Sequence, residues 1–315
     1  MKNIPRHGII LCLLPPLFWG GMFPIANSLI PTVNMFVTTL VRYGIVAVIF
    51  ALLLFWKEGI ASFQFEKRGF QLFLLGSAGF AGFGLLAFTA LSYTSASNVS
   101  LIMAMMPAIS AVLAAVSARR FPPAHTIIAI AIAFFGVSLV LTNGDYSNIF
   151  SSQDVFGELL ALLGAICWVV YTRGAANTPH WSTLRYTTVT TILGVPAIAF
   201  ATAVATWVGY VEAPTLFDIL SGWPQLGYLI VFAGVLAVLF WNAGNKILGS
   251  LNGTLFMNLV PITTFTITAL MSRDLPSTTV FVGIVLVIGG LLLNNLLSRV
   301  QNRRDVKEKV MASQH

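Results

Sequence analysis

Asn98-Val99-Ser100-Leu101-Ile102-Met103-Ala104-Met105-Met106-Pro107 and Asn252-Gly253-Thr254-Leu255-Phe256-Met257-Asn258-Leu259-Val260-Pro261 share one pattern, with Asn, Leu, Met and Pro at matching places 154 residues apart. The correspondence runs without a gap from about Leu85–Thr142 over Leu239–Leu296. It adds Arg119 on Arg273, Pro122 on Pro276 and Gly136 on Gly290. Near the start of each half, an offset of 149 places Gly8 on Gly157, Leu14 on Leu163 and Trp19 on Trp168. Prolines and tryptophans falling at matched depth identify a chain built from two related halves.

Each half is made of apolar runs. Of 315 residues, 57% are hydrophobic and only 9% charged, too little charge to clothe a water-soluble protein of this size. A bilayer core of ~30 Å needs roughly 20 apolar residues per helix. Runs of that size lie at 8–28, 33–56, 69–92, 96–118, 125–143, 157–176, 183–208, 224–245, 251–271 and 278–298. The fold class expected is an all-α polytopic membrane protein of ten transmembrane helices, arranged as two inverted five-helix repeats at 8–143 and 157–298. Five is odd, so the second copy must enter the membrane upside down, as in many transporters with a site between the halves. Lys2 and Arg6 before the first run resemble a signal peptide, but the run reaches Leu29 without a cleavage site and reads as a retained helix.

Charge sets the expected orientation. With the N-terminus inside, 15 of the 17 Lys and Arg fall on the inner side or in the tail 299–315, leaving Arg273 outside and Arg42 within a span. The positive-inside rule therefore places both termini in the cytoplasm, the tail as a basic cytoplasmic segment. Asp145, Asp154, Glu158, Glu212, Asp218 and Asp274 fall outside, and Trp56, Trp181, Trp207 and Trp223 take span ends, where interfacial indoles belong. The location is a bacterial-type inner (plasma) membrane. The net charge of +7 is thus a topology signal, and no nucleic-acid partner is expected. Cys12 and Cys167 both lie in apolar runs and support neither a disulfide scaffold nor a metal site.

The residues Leu17-Phe18-Trp19-Gly20-Gly21, Arg42-Tyr43, Ala90-Leu91-Ser92-Tyr93-Thr94, Met106-Pro107, Gly157-Glu158-Leu159-Leu160, Phe240-Trp241-Asn242-Ala243-Gly244 and Leu255–Pro261 resemble the drug/metabolite transporter superfamily. The likeness is to its EamA group of ten-helix permeases and covers roughly 8–298. It implies a secondary transporter. Members carry an acidic residue just after helices 4 and 9, where this chain reads Ala118-Arg119-Arg120 and Ser272-Arg273-Asp274. Small multidrug relatives bind cations on a Glu in helix 1, and helix 1 here has no acid.

Arg42 is the sharpest candidate, about ten residues into the second span and so ~15 Å deep. An arginine at that depth faces the bundle interior or water. It is either a substrate anchor, its fork suiting carboxylate or phosphate, or a structural arginine held by backbone carbonyls at a helix break. Pro107 and Pro261 each remove an internal hydrogen bond, and the kinks are expected to line a cavity. Trp19, Trp168 and Tyr171 either stack on substrate or fill core. Asn98, Asn242, Asn252 and Asn258 either bind substrate or clamp neighbouring helices. Gly76, Gly79, Gly82 and Gly84 allow close backbone approach in the third span. Glu158, in the first turn of the sixth span, suits its own helix N-terminus. His125 and His180 carry no assigned chemistry.

Neither H-E-x-x-H, G-x-S-x-G nor a P-loop occurs, and no two carboxylates share a span. An enzyme or a nucleotide-driven pump is therefore not expected, and no cofactor or metal. What remains is a secondary transporter, an exporter of a small metabolite such as an amino acid or organic anion working by alternating access. The alternative is a non-transporting membrane sensor or assembly partner. Partners are a small-molecule substrate and the lipid bilayer, with the chain a monomer or a homodimer.

Overall fold

The computed structural model describes residues 6–117, 119, 121, 123–142, 144–146, 153–212, 215–248, 254–272 and 277–312. Asn252, Arg120, Pro122, Arg273, Asp274 and Pro276 lie outside the described residues. Within them the chain is helical, without strands. Apart from a six-residue helix at Leu216–Ser221, the longer helices in chain order are α1 (Arg6–Leu29), α2 (Met35–Glu58), α3 (Gly69–Ala90), α4 (Ala96–Ser117) and α5 (Ala124–Thr142). They continue with α6 (Gln153–Gly174), α7 (Thr183–Trp207), α8 (Trp223–Leu248), α9 (Leu259–Ser272) and α10 (Thr278–Ala312). Seven described helices, α1–α4 and α6–α8, are long and apolar enough to cross a bilayer. Shorter apolar runs, Phe256–Met271 and Thr278–Gly290, belong to α9 and α10.

Apolar side chains point outward as well as inward. Val48, Leu52 and Phe55 follow one stripe of α2 at helical spacing and are exposed, as are Phe281, Val285 and Leu296 along α10. In water such stripes would be aggregation surfaces, and in lipid they are the outer wall.

The two parts of the chain interlock. α1 packs on α8 and α9, α6 on α3 and α4, α2 on α7, and α5 on α10. Contact between α3 and α7 is close enough that a Cβ at Gly76 would overlap the Thr190 carbonyl, the small-residue approach that membrane helices use.

Several helices are broken where the site lies. π turns interrupt α3 at Ser77–Gly82 and α8 at Val231–Leu236, the second starting 154 residues after the first. α4 breaks at Ala104 and Met105, just before Pro107, and a 3-10 turn at Thr254–Asn258 precedes α9 and Pro261. Proline supplies no N–H, so the carbonyls four residues earlier, of Met103 and Met257, lose their helical donors. In α1 the same logic frees the Gly20 carbonyl ahead of Pro24, and the Thr264 hydroxyl donates to it at 2.9 Å.

Four expectations need correction. Asn34 accepts a hydrogen bond from Val37 N and caps α2, so that helix starts at Met35 and Arg42 lies about two turns from its end. α6 starts at Gln153, which moves Glu158 into the second turn, where Asn98 Nδ2 donates to its carboxylate at 3.4 Å. Trp181, at its span end, does not face outward but is 2% exposed, with Arg185 stacked 4.0 Å over its ring; Trp56 and Trp207, by contrast, are exposed. The tail does not leave the helix at 298. With no Gly or Pro between Leu291 and Ala312, α10 runs on to Ala312.

Candidate functional site

The π turn of α8 turns the carbonyl of Ala233 inward, where it accepts from Trp19 Nε1 at 3.1 Å and from Arg42 Nη2 at 3.2 Å. Arg42 is buried, its guanidinium 4.7 Å from the Tyr43 ring centre and 5.3 Å from that of Phe88. Those faces offset part of the desolvation of the charge. No carboxylate pairs with Arg42 among the described residues, and its Nε and Nη1 find no hydrogen-bond partner there.

Trp19 is one corner of an aromatic cluster. Its ring meets Trp168 edge-on at 5.5 Å and Trp241 at 5.4 Å. Trp168 touches Tyr171 at 5.1 Å, and Tyr171 stacks on Tyr186 at 5.4 Å. Asn242 braces the far side, donating from Nδ2 to the Tyr171 hydroxyl at 2.9 Å and to Thr187 Oγ1 at 2.8 Å, while the Tyr186 hydroxyl donates to the Tyr171 carbonyl.

Three cavities run through this region and share walls. The largest, about 390 Å³, lies among the C-terminal ends of α6 and α8 and the start of α7. Arg173, Lys246, Trp181, Tyr186, Asn242 and Asn245 are among its lining. A second, about 10 Å³, shares Thr172 and Arg173 with it and adds Met106, Trp168 and Trp241. A third, also about 10 Å³, shares Met106 and Trp168 with the second and adds Trp19, Met22, Met103 and Met257. The inner two have room for about one water each. Their methionine walls are unbranched and adapt by rotation about χ.

The described ends of the bundle differ in charge and closure. At the end carrying Arg173 and Lys246, Glu66 binds His180 Nε2 at 2.8 Å and Arg185 Nη2 at 2.9 Å, and Arg68 donates to the Asn177 carbonyl. The His180 contact, with Arg185 nearby, holds the Glu66 carboxyl well below its ordinary range, at about 2. At the opposite end the Tyr93 and Tyr210 hydroxyls meet at 3.1 Å, which pushes Tyr210 up, and Asn34 Nδ2 donates to the Glu212 carbonyl at 3.0 Å.

Of the residues singled out in the sequence, Arg42, Trp19, Trp168, Tyr171 and Asn242 fall in one connected cluster. Asn258 is buried beside the chamber-lining Met257, with both amide atoms unpartnered among the described residues. Asn98 lies apart, bonded to Thr94 and Glu158. Pro107 and Pro261 are buried and shape the chamber through Met103, Met106 and Met257. Arg173, Lys246, Asn245, Trp181, Tyr186 and Trp241 were not foreseen as site residues. Trp241 sits in the Phe240-Trp241-Asn242 motif and was within reach of the sequence; the others carried no signal beyond their charge or a span end.

Bundle, outer face and internal cavities together define a multi-pass membrane protein of the helical type. The chain belongs to the EamA-like transporter family, whose sequence profile matches it twice, over residues 6–142 and 155–296. It is 36% identical over 307 residues to the uncharacterized transporter YrdR of Bacillus subtilis (strain 168), covering 96% of this chain and 95% of that one. To the uncharacterized transporter YyaM of the same organism it is 29% identical, over 95% and 96% of the two chains. A solved crystal structure of 18% identity superimposes with TM-score 0.68 over 94% of this chain and 99% of the other, a likeness of fold. The protein is thus a membrane transporter of the drug/metabolite transporter superfamily.

Proposed function

We propose that the chain is a secondary exporter of a small anionic or zwitterionic metabolite, an organic acid or an amino acid, working by alternating access of two inverted halves of five spans each. The observation that carries the reading is the string of cavities leading from the basic mouth at Arg173 and Lys246 to Trp19, which shares the Ala233 carbonyl with the buried Arg42. Along it every charged side chain named is a cation, and none has a carboxylate partner among the described residues. A passing anion supplies the counter-charge that the cavity wall lacks.

Support for inverted halves comes from the doubled family match, the π turns 154 residues apart, and a helix pairing that maps onto itself when the first five helices are exchanged with the last five. Positive charge favours an inner membrane with both termini in the cytoplasm. The wide cavity then faces the cytoplasm, as an exporter's loading state requires.

Efflux from proteoliposomes loaded with labelled amino acids and organic acids is the test. Arg42→Lys keeps charge but loses the fork, and is expected to slow carboxylate efflux with the protein still folded. Normal efflux in both Arg42→Lys and Arg42→Ala removes Arg42 as the anchor. Binding without flux across the whole panel makes the chain a sensor instead.

A further inference from the structure

We propose that the wide basic cavity is a binding site in its own right, taking a small planar organic anion that also carries a hydrogen-bond donor, and holding it before it reaches Arg42. The idea rests on the transporter reading above and adds a first station to it.

Arg173 and Lys246 supply the charge. Each is fixed by one backbone carbonyl, Arg173 Nη1 donating to Ser110 O at 3.3 Å and Lys246 Nζ to Trp181 O at 2.8 Å. Each keeps further donors for a ligand, and no ion pair with a carboxylate involves either among the described residues. Elsewhere at this end the acids are engaged: Glu66 with His180 and Arg185, and Glu58 with the Ser182 hydroxyl. Among the described residues the two cations are therefore left without a counter-charge, beside a cavity that has room for one.

Asn245 supplies the complement. It lines the cavity, is 9% exposed, and spends its Nδ2 on the Trp241 carbonyl at 2.8 Å. Its Oδ1 has no partner among the described residues. A buried amide oxygen without a donor is destabilising, and a small rotation of the Asn245 side chain brings it within reach of an occupant's N–H or O–H. Trp181 and Tyr186 add aromatic surface to the same cavity, which suits a planar body. The site is separate from Arg42 because the two spaces beyond it have no room for a metabolite in this conformation. Asn242 and Tyr186, both braced on Tyr171, form part of its wall.

The test is calorimetry on the full-length protein in phosphatidylcholine nanodiscs, with 4-aminobenzoate as the probe. Binding is expected in the wild type and, unchanged, in Arg42→Ala. Arg173→Gln with Lys246→Gln should weaken it by roughly tenfold or more, and Lys246→Arg should retain it. Asn245→Leu should weaken 4-aminobenzoate while leaving benzoate, which lacks the amino donor, as it was. 4-Aminobenzamide, which lacks the charge, should bind far more weakly. Each single Gln variant, checked for a monodisperse elution profile, covers the case in which the double variant does not fold. No binding to the wild type, equal binding of 4-aminobenzamide, or loss in Arg42→Ala but not in the Gln variants overturns the proposal. So does displacement of the probe by phosphatidylglycerol added to the disc, which would make the occupant a lipid headgroup. Probe binding without efflux of any metabolite leaves this site standing and removes the transporter reading. Efflux with no probe binding does the reverse.

Discussion

At the scale of single residues, Arg42 joins both of the readings its sequence position allows. One of its nitrogens is held by a backbone carbonyl at a helix irregularity, as a structural arginine would be, and two others have no hydrogen-bond partner among the described residues. Sequence reports that an arginine lies inside a span. It does not report which way the side chain turns, and for that reason Arg173 and Lys246 served only to orient the chain, although they line the wide basic cavity. Depth is legible from counting, and azimuth is not, because a cation near a span end fits the membrane surface and an internal cavity equally well. Glycines were legible as a group but not one by one. Gly76 faces the Thr190 backbone, whereas a Cβ at Gly227 meets nothing within 4 Å. Gly76→Ala is therefore expected to destabilise by about 1–3 kcal/mol, and Gly227→Ala to be neutral or to stabilise by roughly 0.5–1 kcal/mol. Melting of the two variants in the same detergent measures the difference, and equal melting temperatures would contradict the close α3–α7 crossing.

At the scale of elements, the prolines were readable and the π turns were not. Pro107 and Pro261 announce broken helices because proline lacks the N–H. Ser77–Gly82 and Val231–Leu236 take the same π form with little residue identity between them, so that geometry emerges from packing: the α3 turn makes room for Tyr171 at Gly79, and the α8 turn presents Ala233 to Trp19 and Arg42. Breaks of this kind forgo helical hydrogen bonds and recur at hinges and functional sites. Pro107→Ala restores a donor to the Met103 carbonyl, so it is expected to raise the melting temperature by a few degrees and to slow efflux. A faster variant would mean that the break is not part of the transport step. The loop between α2 and α3 gives a pH signature. Glu66 titrates at about 2 in the fold against an ordinary 4.5. A depressed carboxyl contributes its stability above pH 4.5 and loses it as the pH falls toward 2. The wild type should therefore show an acid-side decline in melting temperature between those values that Glu66→Gln lacks. Since Glu66 is solvent-exposed the step should be small and shrink with added salt.

At the scale of the whole molecule, a helix pairing unchanged by exchanging helices one to five with six to ten means that the same packing solution occurs on both sides of the bundle, yet the two ends are not alike. One end opens into the large basic cavity and the other is drawn together by Tyr93 and Tyr210, and by Asn34 on Glu212. If the halves rock about the central cluster, opening the second end requires the Tyr93–Tyr210 contact to part while the wide cavity narrows. That contact is a place to stop the cycle. With Cys12 and Cys167 replaced by alanine, cysteines at positions 93 and 210 joined by a short bifunctional methanethiosulfonate should hold the closed end shut. Efflux is expected to fall to background on linking and to recover when a reductant releases the link, while 4-aminobenzoate still binds at the open end. Full efflux from the linked protein would mean that this end never opens, and alternating access between the two ends would have to be abandoned.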